Sequence, residues 1–314
     1  MSPFTRDWFC IVWGTGYVLF SALTSSVMVL APLTALRLVS VSLYSRATSA
    51  VFALWWTSCL FITERMNGVG VRVTGDVPPP GVPLLIIANH KCNLDWMFLW
   101  SAAIRAGGVW QVGAFRAVAK AEIRDIPVFG WGCKLNGFAY VQRRWERDHH
   151  HLQRWMRAQI SRAAPGWVLL FPEGTRFTDA NKRRSDAAAA KDGLATLPGE
   201  ILRPRTKGLA LMLAESQAAA ARGYAATGGY FAQVVDMTVQ YTDAHGAPLK
   251  GSALGTRCFG QLAKGQLAVS TCHVHFECLA PGDVPRGEDA AAVDAWCMER
   301  WRKKAELLEG VART

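Results

Sequence analysis

Between Asp7 and Arg37 lie 29 consecutive residues without a formal charge, WFCIVWGTGYVLFSALTSSVMVLAPLTAL. As a helix this stretch would span about 43 Å, more than the roughly 30 Å hydrocarbon core of a bilayer. A cleaved secretory signal would carry a basic flank and a shorter apolar run, so the stretch reads as a retained anchor that Pro32 ends or kinks. A second apolar run, residues 47–63, is just long enough to span, or could lie in the interface on Trp55 and Trp56. For either run the alternative is a buried core helix. If both cross, the two ends of the hairpin face one side. The positive-inside tendency then puts the basic remainder in the cytosol, a signal diluted by Arg37 and Arg46 in the short loop.

Charge separates the chain into the same parts. Residues 1–63 hold only Arg6, Asp7, Arg37 and Arg46, so the rest carries almost all of the net charge of +11. A basic surface beside an apolar N-terminus suits anionic lipid headgroups. No zinc finger and no RNP-like aromatic strand is present, so nucleic acid is not expected as a partner. The eight cysteines form no CxxC pair, which favours packed thiols in a reducing compartment over a disulfide framework. His273 and His275 alternate along a strand pattern with Cys272 and Cys278 on the opposite face, and His149, His150 and His151 sit in a polar helical stretch. No metal site is expected from either group.

After residue 66 the pattern becomes α/β. Strands are predicted at 83–88, 115–120, 138–142, 167–172, 233–241 and 267–278, with helices at 94–104, 145–162 and 288–309. Such alternation implies a mixed, largely parallel sheet flanked by helices. The expected organisation is an N-terminal helical anchor over 1–66, an α/β domain over 67–280 and a helical tail over 281–314.

Two strand ends break their local pattern with polar residues, at the place where α/β sheets hold ligands. The first is ANHKCNLDW, residues 88–96. With His90 at the strand–helix turn and Asp95 in the first helical turns, the carboxylate can hold one ring nitrogen as a donor and leave the other as a base. A satisfied core histidine would explain His90 alone. The second is LLFPEGTRF, residues 169–177. There Gly174 permits a tight turn with exposed N–H groups, Arg176 can fork onto a phosphate, and Glu173 can fix that arginine. A surface turn with an ion pair is the bland reading; two such strand ends in one sheet argue against it.

With these residues in view, the chain resembles the glycerolipid acyltransferases. NHKCNLD matches the family's NHxxxxD motif and FPEGTR its phosphate-binding motif. GFAYVQR (137–143) resembles the block that ends in a substrate-binding arginine, here Arg143, and KAEIRDIPVFGWG (120–132) resembles the stretch that begins with a lysine, here Lys120. LRPRTKG (202–208) and VVDMTVQY (234–241) resemble the eukaryotic 1-acylglycerol-3-phosphate and lysocardiolipin acyltransferase branch. Two departures stand out: Glu277 and Cys278 occupy a strand where the family usually has paired arginines, and further hydrophobic segments often found near the C-terminus do not precede Thr314. The second departure leaves anchoring to the N-terminus.

The resemblance implies transfer of an acyl group from acyl-CoA to the hydroxyl of a lysophospholipid, with lysophosphatidate as the expected acceptor. It implies His90 as general base and Asp95 as its orienting partner. Lys120, Arg143, Glu173, Gly174, Thr175 and Arg176 would hold the acceptor's phosphate. No metal and no bound cofactor is required, acyl-CoA being a co-substrate with an already activated thioester. The expected setting is an N-terminally anchored protein of the endoplasmic reticulum membrane, in contact with membrane lipids, its catalytic part facing the cytosol. Other readings are a remodelling acyltransferase acting on lysocardiolipin or another lysophospholipid, a CoA-independent transacylase, a phospholipid hydrolase and a non-catalytic lipid-binding membrane protein. Cys92, beside His90, is a further nucleophile by residue type, although the family uses no acyl-cysteine.

Overall fold

Leu84, Leu85, Ile86, Ile87 and Ala88 are all fully buried. Five apolar residues in succession leave neither face of a strand fit for water, so the strand must lie inside a sheet covered on both sides. A computed structural model of the protein places it there. The structure describes residues 29, 31–61, 64, 65, 67–127, 129–162, 166–223, 228–254, 261, 262 and 266–311. Most of the uncharged stretch 8–36, the expected anchor, therefore lies outside the described residues.

The strands are β1 (Gly70–Gly75), β2 (Leu84–Ala88), β3 (Phe115–Lys120), β4 (Ala139–Val141), β5 (Trp167–Leu170), β6 (Gln233–Thr242) and β7 (Thr271–Leu279). They form one sheet in the order β1-β7-β6-β2-β5-β3-β4. All neighbours pair parallel except β6 with β7, so β1 and β7 run against the other five. The expected mixed, largely parallel sheet is what the chain forms. The longer helices are α1 (Val41–Phe61), α2 (Asp95–Gly107), α3 (Trp145–Ser161), α4 (Asp179–Lys191), α5 (Lys207–Ala221) and α6 (Ala290–Val311).

Alternation along β2 feeds two cores. Leu84, Ile86 and Ala88 face α1 and α2, where Trp56 of α1 lies with its ring centroid 3.9 Å from that of Trp100 and 5.3 Å from that of Trp96. Leu85 and Ile87 face a second core built with α3, α5 and α6. Residues 47–63, expected to span or to lie in the interface, thus belong in large part to α1. Phe52, Ala53, Trp56 and Leu60 of this helix are buried against the sheet domain. No helix among the described residues is long and apolar enough to cross a membrane.

The tail helix α6 buries Val293, Cys297, Trp301, Ala305 and Leu308, a stripe at three- and four-residue spacing. Polar groups lock it to the sheet as well. Arg300 donates from Nε to Asp236 at 2.7 Å and from Nη1 to Glu277 at 2.8 Å, and Lys304 pairs with Asp236. Glu277, which stands where an arginine was expected, is therefore a partner of α6. His273 and His275 share one face of β7, within hydrogen-bonding distance of Thr242 and Thr74, as a strand reading requires.

Candidate active site

Every strand of the parallel group ends at the same edge, and there the chain collects its polar residues. At the end of β2 the side chain of Asn89 continues the ladder that the backbone abandons: it donates to Val239 O at 3.0 Å and accepts from Val239 N at 2.8 Å. His90 is thereby freed to leave the sheet. Its Nδ1 lies 2.7 Å from Asp95 Oδ2, and its ring stacks on Phe171 at 4.3 Å between centroids. A carboxylate only accepts, so Nδ1 carries the proton and Nε2 presents a lone pair.

Asp95 begins α2 and is fully buried. Besides the His90 ring it accepts from Lys91 N at 2.6 Å, from Cys92 N at 3.0 Å and from the Tyr241 hydroxyl. Four donors saturate a carboxylate and fix its orientation. Burial and the adjacent Asp95 hold the Tyr241 phenol well above its usual value, so it remains a donor. The neighbouring Lys91 turns inward, donating to Gln240 Oε1 at 2.6 Å and Glu200 Oε2 at 3.0 Å. Cys92 is buried with its sulfur accepting from Leu94 N, a poor position for a nucleophile.

The second motif follows β5. Gly174 takes φ = 68°, a left-handed turn in which an L side chain is strained. Two sequence expectations change here. The Gly174 N–H is not open to an anion, because it closes the turn on Phe171 O at 2.9 Å. Nor does Glu173 fix Arg176. Glu173 lies beneath the turn, 3% exposed, and its Oε1 accepts from His90 N at 3.4 Å and from the Trp301 indole at 3.3 Å. Arg176, redirected by the turn, reaches back to Asn93 Oδ1 at 3.0 Å. The two motifs are thus joined twice, and Phe177 N donating to His90 O at 2.6 Å adds a third link.

Burial pushes the Glu173 carboxyl up to about 8, with nearby Asp95 adding to the rise and the Trp301 and His90 N–H groups opposing it. Its second oxygen, Oε2, is buried without a partner among the described residues. Thr175 accepts from Asn181, which also donates to Arg176 O, so the loop after the turn is tied to the start of α4.

Lys120 closes β3 and Arg143 follows β4, both at this edge. Arg143 adopts φ = 61°, the one left-handed residue other than glycine among the described residues. Partial burial lowers its guanidinium, with Glu122 opposing the shift and Arg205 adding to it, which places Arg143 and Arg205 within electrostatic range. Arg205 in turn lies over Gly174, where a Cβ would stand 3.6 Å from its Cδ. Arg143 and the FPEGTR turn therefore share one basic edge through Arg205. Between the turn, α4 and residues 202–205 opens a pocket of about 360 Å³ bordered by Glu173, Thr175, Arg184, Leu202 and Arg205.

Four residues escaped the sequence reading: Asn89, Tyr241, Arg205 and Trp301. Asn89, Arg205 and Tyr241 stood inside stretches already singled out for their resemblance. Tyr241 closes a strand that reads as core, and nothing local marks Trp301.

Comparison with known proteins gives this edge its context. Residues 70–237 match the acyltransferase family model. Lysocardiolipin acyltransferase 1 of Danio rerio is 34% identical over 293 residues, which cover 93% of this chain and 69% of that protein. Probable 1-acyl-sn-glycerol-3-phosphate acyltransferase 5 of Arabidopsis thaliana is 31% identical over 274 residues, covering 87% of this chain and 65% of the relative. Among solved structures, the 1-acyl-sn-glycerophosphate (LPA) acyltransferase PlsC from Thermotoga maritima shares the fold, with a TM-score of 0.51 over 98% of this chain and 95% of that one at 14% identity. A matched domain that holds both motifs, relatives of that identity and coverage, and a shared fold lead to one conclusion: the chain belongs to the lysophosphatidate and lysophospholipid acyltransferase family.

Proposed function

We propose that the chain transfers an acyl group from acyl-CoA to the free hydroxyl of lysophosphatidate, giving phosphatidate and CoA. The observation that carries this reading is the His90–Asp95 hydrogen bond at the end of the central strand, with the His90 side chain 20% exposed to an incoming hydroxyl. His90 Nε2 takes the proton of the acceptor hydroxyl as its oxygen attacks the thioester carbonyl. Asp95 stabilises the imidazolium, in the manner of a serine-protease dyad whose nucleophile is the substrate. The tetrahedral adduct collapses with loss of the CoA sulfur, which receives the proton back from His90. Lys120, Arg143, Arg176 and the newly found Arg205 supply the positive edge for the acceptor's phosphate, with Glu173, Gly174 and Thr175 shaping the turn beneath it. No metal or bound cofactor is needed for this chemistry.

Lysocardiolipin as acceptor is the second reading, favoured by the 34% identity to the Danio rerio lysocardiolipin acyltransferase. Membrane attachment through the N-terminus, at the endoplasmic reticulum with the site towards the cytosol, completes the proposal. It is supported by the uncharged stretch before Arg37 and by the exposure of Leu38, Val39 and Leu54. The test is an assay of the purified full chain with labelled oleoyl-CoA and a panel of lysophospholipids. Labelled phosphatidate should form fastest. Preferential acylation of lysocardiolipin would select the second reading, and release of free fatty acid alone would make the chain a hydrolase.

A further inference from the structure

We propose that Trp301, on the C-terminal helix α6, is a positioning residue of the acyl-transfer site, acting through Glu173 on the backbone of His90. The inference rests on the acyl-transfer reading above. Its indole N–H donates to Glu173 Oε1 at 3.3 Å, and that same oxygen accepts from His90 N at 3.4 Å. One oxygen is thus held between two donors, one from the tail helix and one from the residue that bears the base. A buried carboxyl group can exchange its two oxygens by rotating about its last bond, and the fixed indole donor selects one of them. Oε2 has no hydrogen-bond partner among the described residues, so Oε1 carries both contacts.

Two further observations separate this contact from routine burial. The indole nitrogens of Trp56, Trp100 and Trp167 are buried without a hydrogen bond among the described residues, so this fold does not oblige a buried tryptophan to pair. Trp301, fully buried, is paired, and its partner is the acid of the FPEGTR motif. The helix is also tied to the sheet on both sides of Trp301. Arg300 immediately before it pairs with Asp236 and Glu277, and Lys304 after it pairs with Asp236 and lies 5.0 Å from the Trp301 ring centroid. The donor is therefore presented from a fixed scaffold rather than from a mobile tail.

The test removes the donor and keeps the shape. In the full chain, Trp301 is replaced by β-(3-benzothienyl)alanine, in which sulfur stands for the indole N–H, and in parallel by Trp301→Phe. Steady-state kinetics with oleoyl-CoA and lysophosphatidate, together with thermal midpoints, are compared with the wild type. The isostere should lower kcat about tenfold, the scale of one lost hydrogen bond, leave KM for oleoyl-CoA within about twofold, and lower the thermal midpoint by no more than a few degrees. An isostere with wild-type kcat overturns the proposal. So does a Trp301→Phe variant that loses thermal stability while its kcat per folded molecule is unchanged, because Trp301 would then serve packing alone. Wild-type chain without acyl transfer would instead defeat the underlying reaction assignment, a result visible before any variant is compared.

Discussion

Replacing Glu173 with glutamine should abolish a pH-dependent loss of stability that the wild-type chain carries. The Glu173 carboxyl is 3% exposed, and burial raises it from 4.5 to about 8. Between those values the folded chain holds one proton that the unfolded chain has lost, so unfolding releases a proton and stability falls as pH rises. The contribution is fully present below the unfolded value near 4.5 and is lost as pH climbs through the folded value near 8. The slope of a single such group is about 1.4 kcal/mol per pH unit, which accumulates to on the order of 5 kcal/mol across the window. An amide of the same shape does not ionise, so Glu173→Gln should show no such slope from this site. Urea unfolding of both proteins at pH 5, 6, 7 and 8 in one detergent buffer isolates the effect, since every other titrating group is common to both. The stability of the variant relative to wild type should rise steadily with pH. A difference that stays constant from pH 5 to 8 would refute the claim that Glu173 is held neutral by burial.

Other substitutions test neighbouring parts of the site. Tyr241→Phe removes one of the four donors to Asp95 and should lower kcat about three- to tenfold with little change in either KM, measured by steady-state kinetics. Arg176→Ala should raise the KM for lysophosphatidate by about one to two decades and leave that for acyl-CoA near its wild-type value, while Arg176→Lys recovers only part. An increase confined to acyl-CoA would move Arg176 to the donor side. Arg300→Ala removes one of two cations paired with the buried Asp236, leaving it with Lys304, and should cost about 1.5–3 kcal/mol in chemical denaturation.

What could be read from the sequence was whatever local pattern encodes. The fully buried run of β2 and the alternation of β7 declare their strands, and the polar residues that end β2 and β5 declare the edge where the site lies. Strand β1, GVRVTG, escaped because it lies at the sheet margin with none of its residues buried, so it shows no apolar face. Helix α4 buries only Ala189 and so has no apolar face to detect. Helix α5 is apolar nearly all round over Leu209–Leu213 and carries no clear stripe. Residues 47–63 misled for a related reason: a helix packed on a tryptophan-rich core has the same low charge as one in lipid. In the site, His90 and Asp95 are close in sequence and their meeting could be argued from spacing. Tyr241 and Trp301 reach Asp95 and Glu173 across 146 and 128 residues, and only the folded sheet brings them there. The Glu173–Arg176 pair failed because sequence proximity suggested a contact that the Gly174 turn and the burial of Glu173 prevent.

The central assignment is that His90, oriented by Asp95, removes the acceptor's proton. Its most direct test is the rate of CoA release from oleoyl-CoA in the presence of lysophosphatidate, measured for wild type and His90→Ala with their thermal midpoints. The variant should fold as the wild type does and lose about 10²–10⁴-fold in kcat. A well-folded His90→Ala protein that releases CoA within about threefold of the wild-type rate would contradict it.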